Sequence, residues 1–219
     1  NSGAYILKFE ESSDSVFVVG GGFEASISQT SARIKITSTY NPDSTWLALD
    51  FLKTTDGYGI IDIKAFFLND SFLYTLIDGL TTTTSVEVTL NNGQPTVGTS
   101  LTGNGPALLK IDRNTGAIVG QVYFNHNPNM TRFNMKSLHK FGNYLYFSSV
   151  SELDENFIVH VYDLNLNLVR DIPINTPSYA AVSTSNRSGN HHDERVMAHG
   201  IYNGCLLYTS PSPRDLSTS

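Results

Sequence analysis

The sequence predicts an all-β protein, and three observations carry that prediction. Short runs rich in β-branched and aromatic residues are bounded by Gly, Asn, Asp and Ser clusters, the mark of strands and turns. No stretch keeps a helical apolar period through three turns before Gly, Pro or Asn interrupts it. One pattern also recurs, a short polar turn followed by an apolar and aromatic run: Ser13-Asp14-Ser15-Val16-Phe17-Val18-Val19, then Asn69-Asp70-Ser71-Phe72-Leu73-Tyr74-Thr75, then Phe141-Gly142-Asn143-Tyr144-Leu145-Tyr146-Phe147. A fourth copy begins at Tyr202-Asn203-Gly204, and the spacing between copies is irregular, so insertions are expected within the repeat. The first two copies also share a lysine six residues before the turn, Lys8 and Lys64.

Each copy expands into four predicted strands. The first unit reads 4–10, 15–20, 32–39 and 45–52, and the second 60–68, 72–78, 107–112 and 117–124, with an extra hairpin candidate over 84–90. The third reads 134–141, 144–150, 157–163 and 168–174. Tight turns join the third and fourth strands. In Asp112-Arg113-Asn114-Thr115-Gly116, Asp opens the turn and Gly takes the left-handed position; in Asp163-Leu164-Asn165-Leu166-Asn167 the same role is expected of Asn167.

The run Leu108-Leu109-Lys110-Ile111-Asp112-Arg113-Asn114-Thr115-Gly116 and the inner hairpin Gly142-Asn143-Tyr144-Leu145-Tyr146 resemble blades of the β-propeller repeat class. The resemblance spans residues 4–204 at blade level and identifies no subfamily. There is no Gly-His with Trp-Asp pair, no Gly-Gly pair in successive blades, and Trp46 is the sole tryptophan. It implies a partial propeller of about three four-stranded antiparallel blades (4–52, 60–124 and 134–174) and the start of another over 178–204, the alternative being an irregular β-sandwich. Such an arc is expected to expose apolar faces and edges at its terminal blades.

Composition narrows the function classes. The 219 residues are 40% hydrophobic and 16% charged, with a net charge of −6 and a pI near 5.4. Lys and Arg never cluster, which argues against nucleic acid as a partner, and no apolar run is long enough to span a bilayer as a helix. The chain does not begin with Met, and Cys205 to Ser219 resembles a translated sequencing adapter, so residues 1–204 are expected to form the incomplete domain and 205–219 a non-native or disordered tail. Without that tail no cysteine remains for disulfides, thiolate chemistry or metal ligation.

The residues with chemical potential are few. His191, His192, Asp193, Glu194 and His199 gather metal-ligand types, but in a Ser/Asn/Gly-rich loop that reads as solvated. His126, His139 and His160 are isolated in sequence and read as hydrogen-bonded or surface histidines. Asp112, Asn114 and Gly116 match the opening of a calcium loop, but Tyr123 stands where its bidentate Glu belongs, so they read as a turn. The sequons at Asn69, Asn129 and Asn186 are at chance frequency, and Thr81-Thr82-Thr83-Thr84 reads as a flexible loop. Lys8, Asp62, Lys64, Lys136, His139 and Lys140 lie on first strands, where an enzymatic propeller would gather its channel groups; only Lys8 and Lys64 recur, and they read as solvated strand residues, the alternative being a positive ring in the channel.

Loop lengths give the sharpest functional expectation. The connections 11–14, 40–44, 69–71, 113–116, 142–143 and 164–167 are short, whereas 21–31, 53–59, 79–106, 125–133, 151–156 and 175–195 are long and belong to the opposite end of the blades. Long loops on a rigid frame favour recognition. Tyr58, Phe124 and Tyr179 near that face are candidates to stack on a sugar or peptide, though core packing is the expected fate of most of them. The expected function is therefore a non-enzymatic platform for an unidentified protein or small ligand. No catalytic, cofactor-binding or metal residue is assigned. The alternative is a fragment of a propeller hydrolase, lyase or oxidoreductase with its active site at the central channel.

Overall fold

The structure, a computed structural model, describes residues 3–4, 9–11, 16–20, 22–26, 29–38, 41–54, 61–98, 101–124, 138–150, 157–174, 199–202 and 205–208. Strands are the only regular elements among them. The chain divides into two compact units, residues 1–126 and 127–219.

The first unit holds β1 (Gly3–Ala4), β2 (Phe9–Glu11), β3 (Val16–Gly20), β4 (Gly22–Ser26), β5 (Gln29–Ser38), β6 (Asn41–Thr54), β7 (Asp62–Leu68), β8 (Phe72–Leu80), β9 (Ser85–Leu90), β10 (Thr96–Val97), β11 (Gly105–Asp112) and β12 (Ile118–Tyr123). The predicted meanders are present. β2, β3, β5 and β6 pair in succession, antiparallel, and so do β7, β8, β11 and β12. The long β5 serves two partners on one edge, β3 along Ile34–Ser38 and β4 along Gln29–Ser31. The expected long loop 21–31 is thus largely strand.

The connection 79–106 departs further from expectation. Its middle forms β9, which pairs with β6 from Leu52↔Ser85 to Leu47↔Leu90, and β10 adds outside it. The excursion runs from the long-loop end to the short-turn end and back. The reason lies in the pattern Val86-Glu87-Val88: two β-branched residues with the spacing of a strand face meet the edge of β6, whose backbone groups would otherwise lack partners. Thr81 to Thr84 is a hydrogen-bonded turn rather than a flexible loop. Thr84 N donates to Thr81 O, Thr81 N to Thr84 Oγ1, and Thr82 N to Asn104 Oδ1.

Period-two alternation sorts the side chains. Ile34, Leu47, Leu49, Phe51, Val86 and Val88 on the first sheet join Phe66, Leu73, Leu109 and Ile111 of the second in one core. On the first sheet's other face stand Arg33, Lys35, Asp50 and Glu87. Arg33 grips Asp50 twice, Nε to Oδ1 at 2.5 Å and Nη2 to Oδ2 at 3.0 Å. At these positions the outer face is charged rather than apolar. The second sheet is instead buried on both faces, with Leu73, Ile77 and Leu109 on one side and Tyr74, Leu76 and Leu108 on the other.

The second unit contains β13 (Leu138–Phe141), β14 (Tyr144–Val150), β15 (Phe157–Asp163) and β16 (Leu168–Ile174), paired in chain order, and the hairpin β17 (His199–Tyr202) with β18 (Cys205–Tyr208). The two central strands of its four-stranded sheet are buried on both faces, Leu145 and Phe147 on one, Val159 and Val161 on the other, while Phe141, Leu168 and Val169 on the outer strands are exposed. The β17–β18 pairing runs from His199↔Tyr208 to Tyr202↔Cys205.

The paired turns differ in one respect from expectation. Asp112 N donates to Ala117 O, but Asp163 N donates to Asn167 O, so the second turn is one residue shorter. The left-handed position equivalent to Gly116 (φ 70°) therefore falls on Leu166 (φ 66°), not on Asn167. That backbone costs a non-glycine residue about 1–2 kcal/mol. The buried Leu166 side chain offsets it. Both final strands also carry a bulge, at Val119 and Val169. No helix among the described residues is long and apolar enough to cross a membrane.

Candidate functional site

The most unusual polar arrangement among the described residues sits in the third sheet. Tyr144-Leu145-Tyr146-Phe147 builds β14 from strong strand formers, and alternation then puts Ser149 on the same face as Leu145 and Phe147. Register sets Phe147 opposite His160, and His160 opposite Asp171; Ser149 lies diagonally across from His160. Ser149 Oγ is 2.7 Å from His160 Nε2, and His160 Nδ1 is 2.7 Å from Asp171 Oδ1. The Phe147 ring stacks on the imidazole at 4.9 Å and on Tyr162 at 5.6 Å.

Electrostatics fix the proton positions. Burial pushes the His160 pKa down, against a hydrogen bond and a charge from Asp171 that favour protonation. The neutral imidazole therefore donates through Nδ1 to the Asp171 carboxylate, and its Nε2 lone pair accepts the Ser149 hydroxyl proton. Burial, reinforced by the Asp171 charge, also raises the Tyr162 phenol above its ordinary value.

A serine, an imidazole and a carboxylate in this order can activate a hydroxyl as nucleophile. Access decides whether it does. Ser149 is 3% exposed and His160 6% exposed, with Phe147 lying over the ring. As it stands the chain is a closed hydrogen-bond relay joining three strands, with each of its buried polar atoms partnered.

The residues singled out in sequence fare variously. Asp112 is a turn residue: its Oδ1 accepts from Asn114 N, Thr115 N and Thr115 Oγ1, all at 2.9 Å. Burial opposes its charge, but these bonds outweigh it and hold the carboxyl below its ordinary pKa. Gly116 keeps the left-handed position. Asn69 of the first sequon caps its own turn, Oδ1 accepting from Ser71 N and Phe72 N. Phe124 is buried rather than exposed. His139, Lys64 and Lys140 sit half-buried or exposed on first strands, and Asp62 begins β7. His199 opens β17. Lys8, Tyr58, His126, Asn129, Lys136, Tyr179, Asn186, His191, His192, Asp193 and Glu194 lie outside the described residues. No group of three or more His, Cys, Asp or Glu able to hold a metal occurs among the described residues.

Sequence reading found His160 but not its partners. Each is 11 residues away, and the turn alone mispairs them. Counting back from Asp163↔Asn167 puts Arg170 opposite His160, and only the bulge at Val169 advances the register so that Asp171 arrives there. A second tie lies in the first unit. Arg113, 1% exposed, lays its guanidinium over the Trp46 ring at 4.4 Å and reaches Asn69 O at 3.4 Å. Trp46 is itself a bulge residue, between Ile36↔Leu47 and Thr37↔Thr45.

The chain matches no family model, no curated protein and no solved structure. The fold thus defines its class by itself, an all-β protein of antiparallel sheets formed largely from consecutive strands.

Proposed function

We propose that the chain is an incomplete β-propeller acting as a non-enzymatic recognition platform, which binds a protein or other ligand at the long-connection end of its sheets. The observation that supports this most is the burial on both faces of the central strands of the second and third sheets, β8 with β11 and β14 with β15. A two-layer sandwich buries one face of each sheet, whereas successive blades cover one another on either side. The long-connection end of the second sheet offers neutral donors and acceptors held in order: exposed Thr82 and Thr83 on their hydrogen-bonded turn, Asn104 bound to Thr82 N, and Thr102, which donates to Gln121 Oε1 through N and Oγ1. Such groups suit a polar uncharged surface such as a glycan or a peptide backbone.

The test is a glycan and peptide array probed with the purified chain, its T83R/T102R variant and an N114R/N143R control altered at the short turns. The reading expects a hit that T83R/T102R abolishes and the control keeps. Equal loss in both variants, or no hit, refutes it. The enzyme alternative draws on Ser149, His160 and Asp171, and an alkylphosphonyl fluoride separates the two: the platform reading expects Ser149 to stay unlabelled in the folded chain.

A further inference from the structure

We propose that Ser149, His160 and Asp171 form a proton-sensitive latch that holds β16, the outer strand of the third sheet, and releases it under mildly acidic conditions.

The second sheet shows that the fold does not need this relay. The two sheets align through their bulges, Val119 with Val169. The position of His160 is then occupied by Leu109, that of Ser149 by Ile77 and that of Asp171 by Gln121. Two fully buried aliphatic side chains do the same packing there without a titratable group. An imidazole that is 6% exposed is a poor choice for packing alone, because a proton arriving on it must be carried where water cannot reach.

Protonation strikes the joint between strands. Nε2 turns from acceptor to donor, so the Ser149 hydroxyl must rotate and accept, and its own proton loses the imidazole as partner. The new charge has one close counter-charge, Asp171, which is half-exposed. Among the described residues, the other groups on that face are Tyr162 on β15, Phe147 on β14 and Lys140 on β13; His139, Asp163 and Arg170 belong to the opposite face. Only Asp171 favours the cation. Burial outweighs it, so the folded chain holds the imidazole neutral below the ordinary value of 6.5. Across the window between that value and the lower folded one, the opened state binds the proton and the latched state does not. The latch is therefore at full strength above the window and weakens as pH falls through it, by up to about tenfold in the opening equilibrium per pH unit.

The experiment follows the His160 ring by NMR in the full chain and measures amide protection factors, corrected for intrinsic exchange, from about pH 7.5 to about pH 5. The expected result is titration below 6.5 and a fall in β15 and β16 protection approaching tenfold per unit in the window, with β8 and β11 unchanged. H160L/S149A, which imitates the second sheet, should flatten the response, while D171N should deepen the loss at the acid end. Titration at or above 6.5, equal loss in β8 and β11, or a pH response that survives in H160L/S149A overturns the proposal. If the double variant does not fold, the titration and the distribution of protection in the unaltered chain decide by themselves.

Discussion

Replacing Gly116 with Ala puts a single methyl group where two separate features of the fold meet. Gly116 has φ 70°, so any side chain there carries the left-handed penalty of about 1 kcal/mol. A Cβ at that point would also drive into Val88 Cγ1 and stand 3.0 Å from Leu47 Cδ1. Val88 belongs to β9 and Leu47 to β6, both in the core, so neither can swing into solvent. Overpacking of this kind costs about 1–3 kcal/mol, which brings G116A to a loss of about 2–4 kcal/mol. V88A by itself should cost about 2 kcal/mol for the lost methyl groups and the cavity they leave. In the double variant the new methyl occupies that cavity, and the two losses should fall short of additivity by at least 1 kcal/mol. Urea unfolding followed by the fluorescence of Trp46, which packs against the same core, measures all three. A G116A loss below 1 kcal/mol, or strict additivity with V88A, would show that β9 does not dock on β6 in solution.

Leu166 offers the converse test. L166A and L166G both forfeit the buried side chain, but only alanine keeps the left-handed penalty, so L166G should be the more stable by roughly 1 kcal/mol, reversing the usual order at loop positions. Equal stabilities in a thermal melt would contradict the backbone described for that turn. R113M should retain most of the stability that R113A loses, since the methionine keeps a packed stem beside Trp46, yet both should change the Trp46 emission by removing the cation from its ring. An unchanged emission spectrum in both would place the guanidinium elsewhere.

Much of the fold was legible residue by residue. The three four-stranded meanders and the turn that Asp112 closes follow from alternation and turn chemistry, which act between neighbours a few residues apart. The extra run over 84–90, expected as a hairpin, was recognisable as extended for the same reason, though it forms the single strand β9. Its destination was not, because the edge of β6 is a partner supplied from more than 30 residues away, and Val86 and Val88 suit any apolar face equally well.

What the sequence by itself determined is therefore the class and the local pairing: all-β, antiparallel meanders of consecutive strands, with glycine required at 116. Tertiary structure alone decided where β9 docks, that Leu166 rather than Asn167 takes the left-handed backbone, and that Arg113 covers Trp46. It also turned an isolated His160 into the centre of a relay. The physical reason is the same in each case. A strand's faces are set by its own alternation, but its register is set by turn length and bulges, and one residue more or less, as at Val169, exchanges Arg170 for Asp171 beside the imidazole.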